Sequence, residues 1–162
     1  MADSQRQTVP LPETLQRFYW MRLSPDDRLL AYHRADSGSD EVYVVDFPGF
    51  THPRVVSRGG GRQPEWHPKG TELFYFGNNG QTLMSARLKP NGGSFDEPEK
   101  VFDLPGSIYS DNPWRLSHLD MAPEGDRFLM LGKVQTNVAT NQPPKPNVMV
   151  VENWFEEFRE KK

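Results

Sequence analysis

The segment Trp66-His-Pro-Lys-Gly-Thr-Glu-Leu-Phe-Tyr75 has two counterparts elsewhere in the chain. They are Leu23-Ser-Pro-Asp-Asp-Arg-Leu-Leu-Ala-Tyr32 and Met121-Ala-Pro-Glu-Gly-Asp-Arg-Phe-Leu-Met130. In each copy an apolar residue stands two positions before the proline, five after it and seven after it. Apolar residues two apart are typical of β-strands, because successive side chains of a strand point to opposite faces. The chain is therefore predicted to consist of repeated β-strand units.

The middle of each copy predicts a tight turn. Proline sets φ near about −65° at the first turn position, and a glycine can take the positive φ that completes the reversal. That glycine is Gly70 in the second copy and Gly125 in the third. The first copy has Asp27 there instead, and aspartate tolerates the left-handed region better than most residues. Each copy is therefore interpreted as a β-hairpin.

Further strands are expected after each hairpin. A third strand is predicted around residues 41–47, 81–88 and 147–151, and shorter strands around 54–57 and 100–103. Four short antiparallel strands per unit are typical of a β-propeller blade. The sequence thus predicts an all-β fold of about three four-stranded blades, which is half of a six-bladed propeller.

The spacing of the turn prolines favours the same interpretation. Pro25 and Pro68 are 43 residues apart, and a propeller blade takes about 40 to 45 residues. Pro68 and Pro123 are 55 apart, so a loop at 90–98 or 104–113 must hold the surplus. The predicted organisation is an N-terminal arm at 1–16, blades at about 17–58, 59–104 and 105–152, and a short C-terminal helical tail at 153–162.

Several motifs resemble a known repeat family. The stretch Pro64-Glu-Trp-His-Pro-Lys-Gly70 is similar to the core pattern of TolB-like six-bladed propeller repeats, with His67 where serine is usual. The order of motifs resembles the C-terminal part of bacterial multidomain proteins that carry such propellers behind a kinase or winged-helix domain. The motifs are Gly60-Gly-Arg-Gln-Pro64, Leu83-Met84, Gly92-Gly-Ser-Phe95, Arg127-Phe-Leu-Met130 and Asn153-Trp-Phe-Glu-Glu-Phe158. The resemblance implies a propeller fold but no kinase or DNA-binding activity, because neither segment is present.

Composition excludes several classes of function. The 162 residues carry 19 Lys and Arg against 22 Asp and Glu, a net charge of −3, which is not the basic footprint of a nucleic-acid-binding protein. There is no cysteine, hence no disulfide, thiolate nucleophile or cysteine-based zinc site. No stretch has the apolar length of a signal peptide or a membrane span. We expect no membrane insertion and a cytoplasmic location, or an extracytoplasmic one if the chain is a fragment of a longer membrane-anchored protein.

A binding rim is predicted where the inner strands begin. Innermost strands line the channel of a propeller, and the loops leading into them form its mouth, where ligands and peptides usually bind. Arg62, Tyr109, Trp114 and His118 are the predicted binding residues at this mouth. The alternative for each of them is packing between blades.

The sequence offers little support for catalysis. Of the four histidines, His33, His52, His67 and His118, the last stands two before Asp120 and would share its strand face. Such a pair can orient a catalytic or metal-binding imidazole, but a hydrogen bond that steadies a blade is the favoured interpretation. His67 is expected to cap local backbone groups. No catalytic residue, metal ligand or cofactor is predicted.

Three blades cannot close a ring, because propellers use about four to eight. We expect either a homodimer that completes a six-bladed ring or a fragment whose remaining blades belong to a longer chain. Residues 8–11 could add an outer strand to the partner, and Trp154 and Phe158 would share one face of the tail helix. The predicted function is a non-enzymatic module that binds a protein or peptide. The alternative is a metal-dependent hydrolase or lactonase-like propeller with a channel site.

Overall fold

A computed structural model describes residues 10–13, 18–36, 38–77, 80–104, 119–132 and 147–152. The predicted C-terminal helical tail at 153–162 lies outside these residues. The described strands are β1 (Phe18–Leu23), β2 (Leu29–Asp36), β3 (Ser39–Asp46), β4 (Thr51–Val55), β5 (Arg62–Trp66), β6 (Glu72–Gly77), β7 (Thr82–Arg87), β8 (Glu99–Asp103), β9 (Leu119–Met121), β10 (Arg127–Gly132) and β11 (Asn147–Glu152). Within these ranges no helix is long and apolar enough to cross a membrane.

The strands form three antiparallel sheets in which chain neighbours are sheet neighbours. The first blade has the order β1-β2-β3-β4, the second has β5-β6-β7-β8, and the described part of the third has β9-β10-β11. The first strands of the blades meet one another, because β5 packs against both β1 and β9. The three sheets therefore fan out from a common axis that their first strands line. This is the predicted all-β arrangement of propeller blades.

The three proline turns have the predicted geometry. Gly70 and Gly125 adopt φ values of 69° and 77°, and Asp27 takes the equivalent place with a φ of 58°. In each turn the backbone N–H of this residue donates to a carbonyl three residues earlier, over 2.7 to 2.9 Å. The prediction that Asp27 replaces a turn glycine is confirmed.

The fourth strand of the first blade begins earlier than the predicted 54–57. It starts at Thr51, which pairs with Asp46 across a short turn, and it contains Pro53. A proline usually argues against a strand, because it has no backbone N–H to donate to a neighbouring strand. An outermost strand tolerates proline, since one of its edges has no neighbouring strand. The other predicted strands agree with the structure to within two residues.

Two apolar cores lie between the described parts of the blades. The core between the first and second blades includes Trp66, whose indole Nε1 donates to the carbonyl of Arg22 over 3.1 Å. The core between the second and third blades is built around Phe74 and Phe128, whose ring centroids are 5.0 Å apart. Burial of each large apolar side chain stabilises a fold by about 1.5 to 3 kcal/mol. The cores thus fix how the first strands are placed around the axis.

Candidate binding site at the mouth

Arg62 begins β5 and lies at the end of the sheets where the inner strands start. Its Nε forms an ion pair with Asp40, the second residue of β3 in the neighbouring blade. The two side chains are only partly exposed, at 27% and 15%. The pair therefore joins the start of the second blade to the β2–β3 hairpin of the first blade.

A small cavity of about 100 Å³ lies beside this ion pair. Its lining consists mainly of glycine-rich loops from both blades: Gly38, Ser39, Asp40, Gly59, Gly60, Gly61, Arg62, Phe76 and Gly80. Two of the loop amides are held from within the protein, because Gly60 donates to a carboxylate oxygen of Glu41 over 3.0 Å and Gly61 donates to the carbonyl of Asp40 over 2.8 Å. The loop at 59–61 is thus a tight connection between the first and second blades.

A buried histidine contacts residues of the inner strands near the mouth. The ring of His33 stacks on Tyr19 with centroids 5.7 Å apart, and its Nδ1 accepts the backbone N–H of Gln63 over 3.4 Å. Burial lowers the pKa of His33 to about 4, while the nearby Asp40 acts in the opposite direction and Arg62 adds to the lowering. At neutral pH the imidazole is therefore uncharged and serves as a hydrogen-bond acceptor.

The inner strands of the first two blades are both bent by a bulge near the mouth. The register of β1 shifts between Tyr19 and Arg22, and the register of β5 shifts between Arg62 and Glu65. Trp20 and Gln63 occupy these bulges with φ values of 59° and 51°. Both stand five residues before the turn proline, the repeat position that His118 occupies in the third copy. Bulges re-aim side chains and are common next to binding sites.

Charged residues occupy the same position on the inner strands of the three blades. Arg22, Glu65 and Asp120 each stand three residues before the turn proline of their repeat. Arg22 donates from Nε to Oε2 of Glu65 over 2.6 Å. Burial raises the pKa of Glu65, Arg22 opposes this effect, and the negative charge of Asp120 raises the pKa further. The inner strands thus carry interacting charges from all three blades.

The structure describes only one of the four predicted binding residues. Arg62 is the first residue of β5 and lines the small cavity, and its role in binding stays a prediction. Tyr109, Trp114 and His118 lie outside the described residues, as does the predicted pairing of His118 with Asp120. In the part of the chain that the structure describes, no group of three His, Cys, Asp or Glu side chains could hold a metal ion.

Asp40, His33 and Gln63 also contribute to the mouth, and sequence reasoning did not select them. Asp40 and Arg62 are 22 residues apart and belong to different blades, so no local pattern connects them. Gln63 could have been found, because it shares its repeat position with Trp20 and His118.

Comparison with solved structures gives the class of the fold. A TolB from Agrobacterium tumefaciens matches with a TM-score of 0.59 at 17% identity, over 91% of this chain and 48% of its own. Acylaminoacyl peptidase from Pyrococcus horikoshii matches with a TM-score of 0.59 at 14% identity, over 86% of this chain and 23% of its own. Oligogalacturonate lyase from Vibrio parahaemolyticus matches with a TM-score of 0.56 at 12% identity, over 84% of this chain and 36% of its own. The sequence matches no protein-family model and no curated protein.

These likenesses show that the three sheets are blades of a β-propeller with the fold of TolB-like repeats. At such low identity they show the fold alone. The chain spans less than half the length of each of these structures. They include enzymes as well as TolB proteins, and a fold shared by both does not determine an activity.

Proposed function

We propose that the chain is a non-enzymatic module of TolB-like propeller blades that binds a protein or peptide at the mouth of its channel. The observation that carries this proposal is the ion pair of Arg62 and Asp40 beside a glycine-lined cavity, at the end where the inner strands begin. Arginine and tyrosine are enriched among the residues that dominate protein interfaces. The mouth offers Arg62 with 27% of its side chain exposed and Tyr19 with 44% of its surface exposed.

The form of this mouth suits an extended peptide better than a compact small molecule. A cavity of about 100 Å³ is well below the about 300 to 1,000 Å³ of small-molecule sites. Glycine loops allow a second backbone to approach closely, because they carry no side chains in the way. In this proposal Tyr109, Trp114 and His118 complete the rim from the third blade.

Panning a random peptide library on the purified protein tests the proposal. Enriched peptides are titrated against the wild type, against Arg62→Gln and Trp114→Ala, and against Lys100→Gln as a control. Lys100 is an exposed cation on the outer strand of the second blade, where it pairs with Asp103. We expect both mouth variants to weaken binding by about tenfold or more, the range for a residue that dominates an interface, and the control to bind as the wild type does. Peptides that bind all four proteins equally would contradict a site at the mouth.

We further propose that a second copy of the chain supplies the missing blades. Support comes from the matched TolB of Agrobacterium tumefaciens, of which this chain spans 48%, and from the rule that propellers need about four to eight blades. Sedimentation equilibrium of the purified chain should then give twice the mass of 18.6 kDa. A well-folded monomer would contradict the dimer. If the chain aggregates and the addition of upstream blades prevents this aggregation, the remaining blades belong to a longer chain instead.

A further inference from the structure

A second and larger depression lies at the end of the blades opposite the mouth. It has a volume of about 870 Å³ and lies between the first and second blades. Its walls come from the β1–β2 turn, the β3–β4 hairpin and the loop that follows β7. We call it the turn-side groove; its lining residues are Asp26, Arg28, Leu29, Asp46, Phe47, His52, Pro53, Arg54, Leu88, Pro90, Asn91, Gly92 and Gly93. A volume of this size falls within the about 300 to 1,000 Å³ typical of sites for organic ligands.

The two carboxylates of the groove already accept several hydrogen bonds. Asp46 accepts from Nδ1 of His52 over 2.7 Å and from the hydroxyl of Thr51 over 3.4 Å, and it also accepts from Arg54. These donors hold the pKa of Asp46 below its usual range, with the hydrogen bond from His52 as the largest cause. The groove therefore offers little capacity to accept further hydrogen bonds at this carboxylate.

Asp26 is occupied in the same way at the other wall. It accepts from the hydroxyl of Ser24 over 2.7 Å, from the backbone N–H of Arg28 over 3.2 Å and from Nε of Arg28 over 2.7 Å. These bonds lower its pKa to about 2, so the group stays ionised and engaged at ordinary pH. Both carboxylates are thus engaged by donors of the protein itself.

The donors of the groove, in contrast, are not all used. The Nε of Arg54 is buried and has no acceptor within the described residues. Arg28 engages Asp26 through Nε and leaves 81% of its side chain exposed. The ring of His52 donates through Nδ1 to Asp46 and is 76% exposed. A buried donor without an acceptor is rare in a folded protein.

The backbone around His52 holds its ring against Asp46 at a cost in strain. Phe50 and His52 adopt φ values of 52° and 50° although neither is glycine. Residues in this region are uncommon and cluster at sites of function.

The floor of the groove is apolar and comes from Leu29, Phe47 and Leu88.

We propose that the turn-side groove binds an organic anion, whose phosphate or carboxylate group accepts hydrogen bonds from Arg28 and Arg54. The apolar body of the ligand would lie on Leu29, Phe47 and Leu88. Charge-assisted hydrogen bonds to guanidinium groups are the strongest that proteins offer to such anions. This site is independent of the proposed peptide site at the mouth, because no residue lines both cavities.

Ring signals of His52 in proton–carbon NMR spectra report on the site directly. Phenyl phosphate and 3-phenylpropionate serve as probes, and inorganic phosphate serves as the probe without an apolar body. We expect a saturable shift of the His52 signals with at least one aryl anion, several-fold tighter than with inorganic phosphate. The aryl probe that binds more tightly identifies the preferred anionic group. No saturable shift with either aryl probe, or equal affinity for inorganic phosphate, would overturn the proposal.

Two charge-matched variants separate a built site from general attraction. Arg28→Gln removes a guanidinium from the groove, while Arg58→Gln removes one that is similarly exposed and similarly paired with a carboxylate, that of Glu97. We expect Arg28→Gln to weaken binding about tenfold and Arg58→Gln to leave it unchanged. Equal weakening in both variants would overturn the proposal. Because both side chains are largely exposed, neither substitution should unfold the protein.

Discussion

Arg22 and Glu65 form a salt bridge across the boundary between the first two blades, with Nε 2.6 Å from Oε2. The two residues hold the same position in successive repeats, three before the turn proline. The side chain of Glu65 is only 20% exposed, and burial raises its pKa. Arg22 therefore stabilises a carboxylate that the surrounding protein disfavours.

Replacing either member of this pair should have unequal effects. Arg22→Met leaves a half-buried carboxylate without its guanidinium, so the free energy of unfolding should fall by about 1 to 3 kcal/mol at neutral pH. Glu65→Gln should lower the free energy of unfolding by less, because a partly buried neutral amide is less destabilising than a partly buried carboxylate that has lost its guanidinium partner. Urea denaturation of the wild type and both variants measures the difference.

The pH dependence provides a control for this prediction. A carboxyl group with a raised pKa in the folded state binds protons more readily there than in the unfolded state, so acid favours folding. The defect of Arg22→Met should therefore shrink as the pH falls and Glu65 becomes neutral. A defect that stays the same at every pH would contradict the electrostatic explanation.

His33 should make the folded state sensitive to acid. Its pKa is about 4 when folded and about 6.5 when unfolded. Between these values the unfolded state binds more protons, so the free energy of unfolding falls as the pH drops from about 6.5 towards 4. The full loss is up to about 3 kcal/mol, from 1.36 kcal/mol for each pKa unit.

Urea denaturation as a function of pH, with His33→Gln for comparison, measures this contribution. The variant should lose stability less steeply in the same pH interval. An NMR titration of the His33 ring gives an independent reading, with an expected midpoint near 4. A midpoint near 6.5 would show that the ring is not buried in its neutral form.

The sequence predicts the features that depend on neighbouring residues. Proline followed by glycine, or by Asp27, identifies the turns, and apolar residues two apart identify the strands. The salt bridge of Arg22 with Glu65 and the ion pair of Asp40 with Arg62 could not be predicted from these patterns. Both pairs cross from one blade to the next, so they depend on how the sheets pack.

The bulges at Trp20 and Gln63 were missed for a different reason. Strand propensity describes a regular pleat, whereas a bulge needs one residue more on one strand than on its partner. Only the alignment of the repeats reveals that the two residues are equivalent. The groove on the turn side was likewise not predicted, because Arg28, His52 and Arg54 meet only after the β3–β4 hairpin has formed.

Gly61 should not tolerate a side chain, although its φ is not in the left-handed region. A Cβ at this position would lie 2.6 Å from Cβ of Ser57 and 3.0 Å from the ring of Tyr75. Ser57 cannot move freely, because its hydroxyl accepts the backbone N–H of Val42 over 2.8 Å. Gly61→Ala should therefore lower the free energy of unfolding by about 1 to 3 kcal/mol.

Gly93→Ala is the matched control for this crowding. Gly93 also lacks a positive φ, and the nearest atom to its added Cβ is 3.7 Å away. Because alanine restricts the unfolded chain, this substitution should be neutral or slightly stabilising. Thermal denaturation of both variants compares them, and equal losses would show that contact with Ser57 is not the cause.

Gly125 lies where the turn of the third blade meets His67 from the turn of the second, and this contact should make their substitutions non-additive. A Cβ at Gly125 would lie 2.6 Å from Cε1 of His67. Gly70 is a near match, since its φ of 69° resembles the 77° of Gly125, but the nearest atom to its added Cβ is 3.5 Å away. Gly70→Ala should therefore show only the strain of a left-handed alanine, about 1 to 2 kcal/mol, and Gly125→Ala should lose more.

The double variant tests whether the excess comes from the imidazole. His67→Ala removes the ring and also its Nδ1, which accepts the backbone N–H of Lys69 over 3.0 Å, so alone it should cost about 1 kcal/mol. With the ring absent, Gly125→Ala should cost no more than Gly70→Ala does in the wild type. The losses of the two single variants, Gly125→Ala and His67→Ala, should then sum to more than the loss of the double variant. The difference should fall within the about 0.5 to 3 kcal/mol of interaction energy found for residues in contact. Strict additivity would mean that the third blade does not rest on His67.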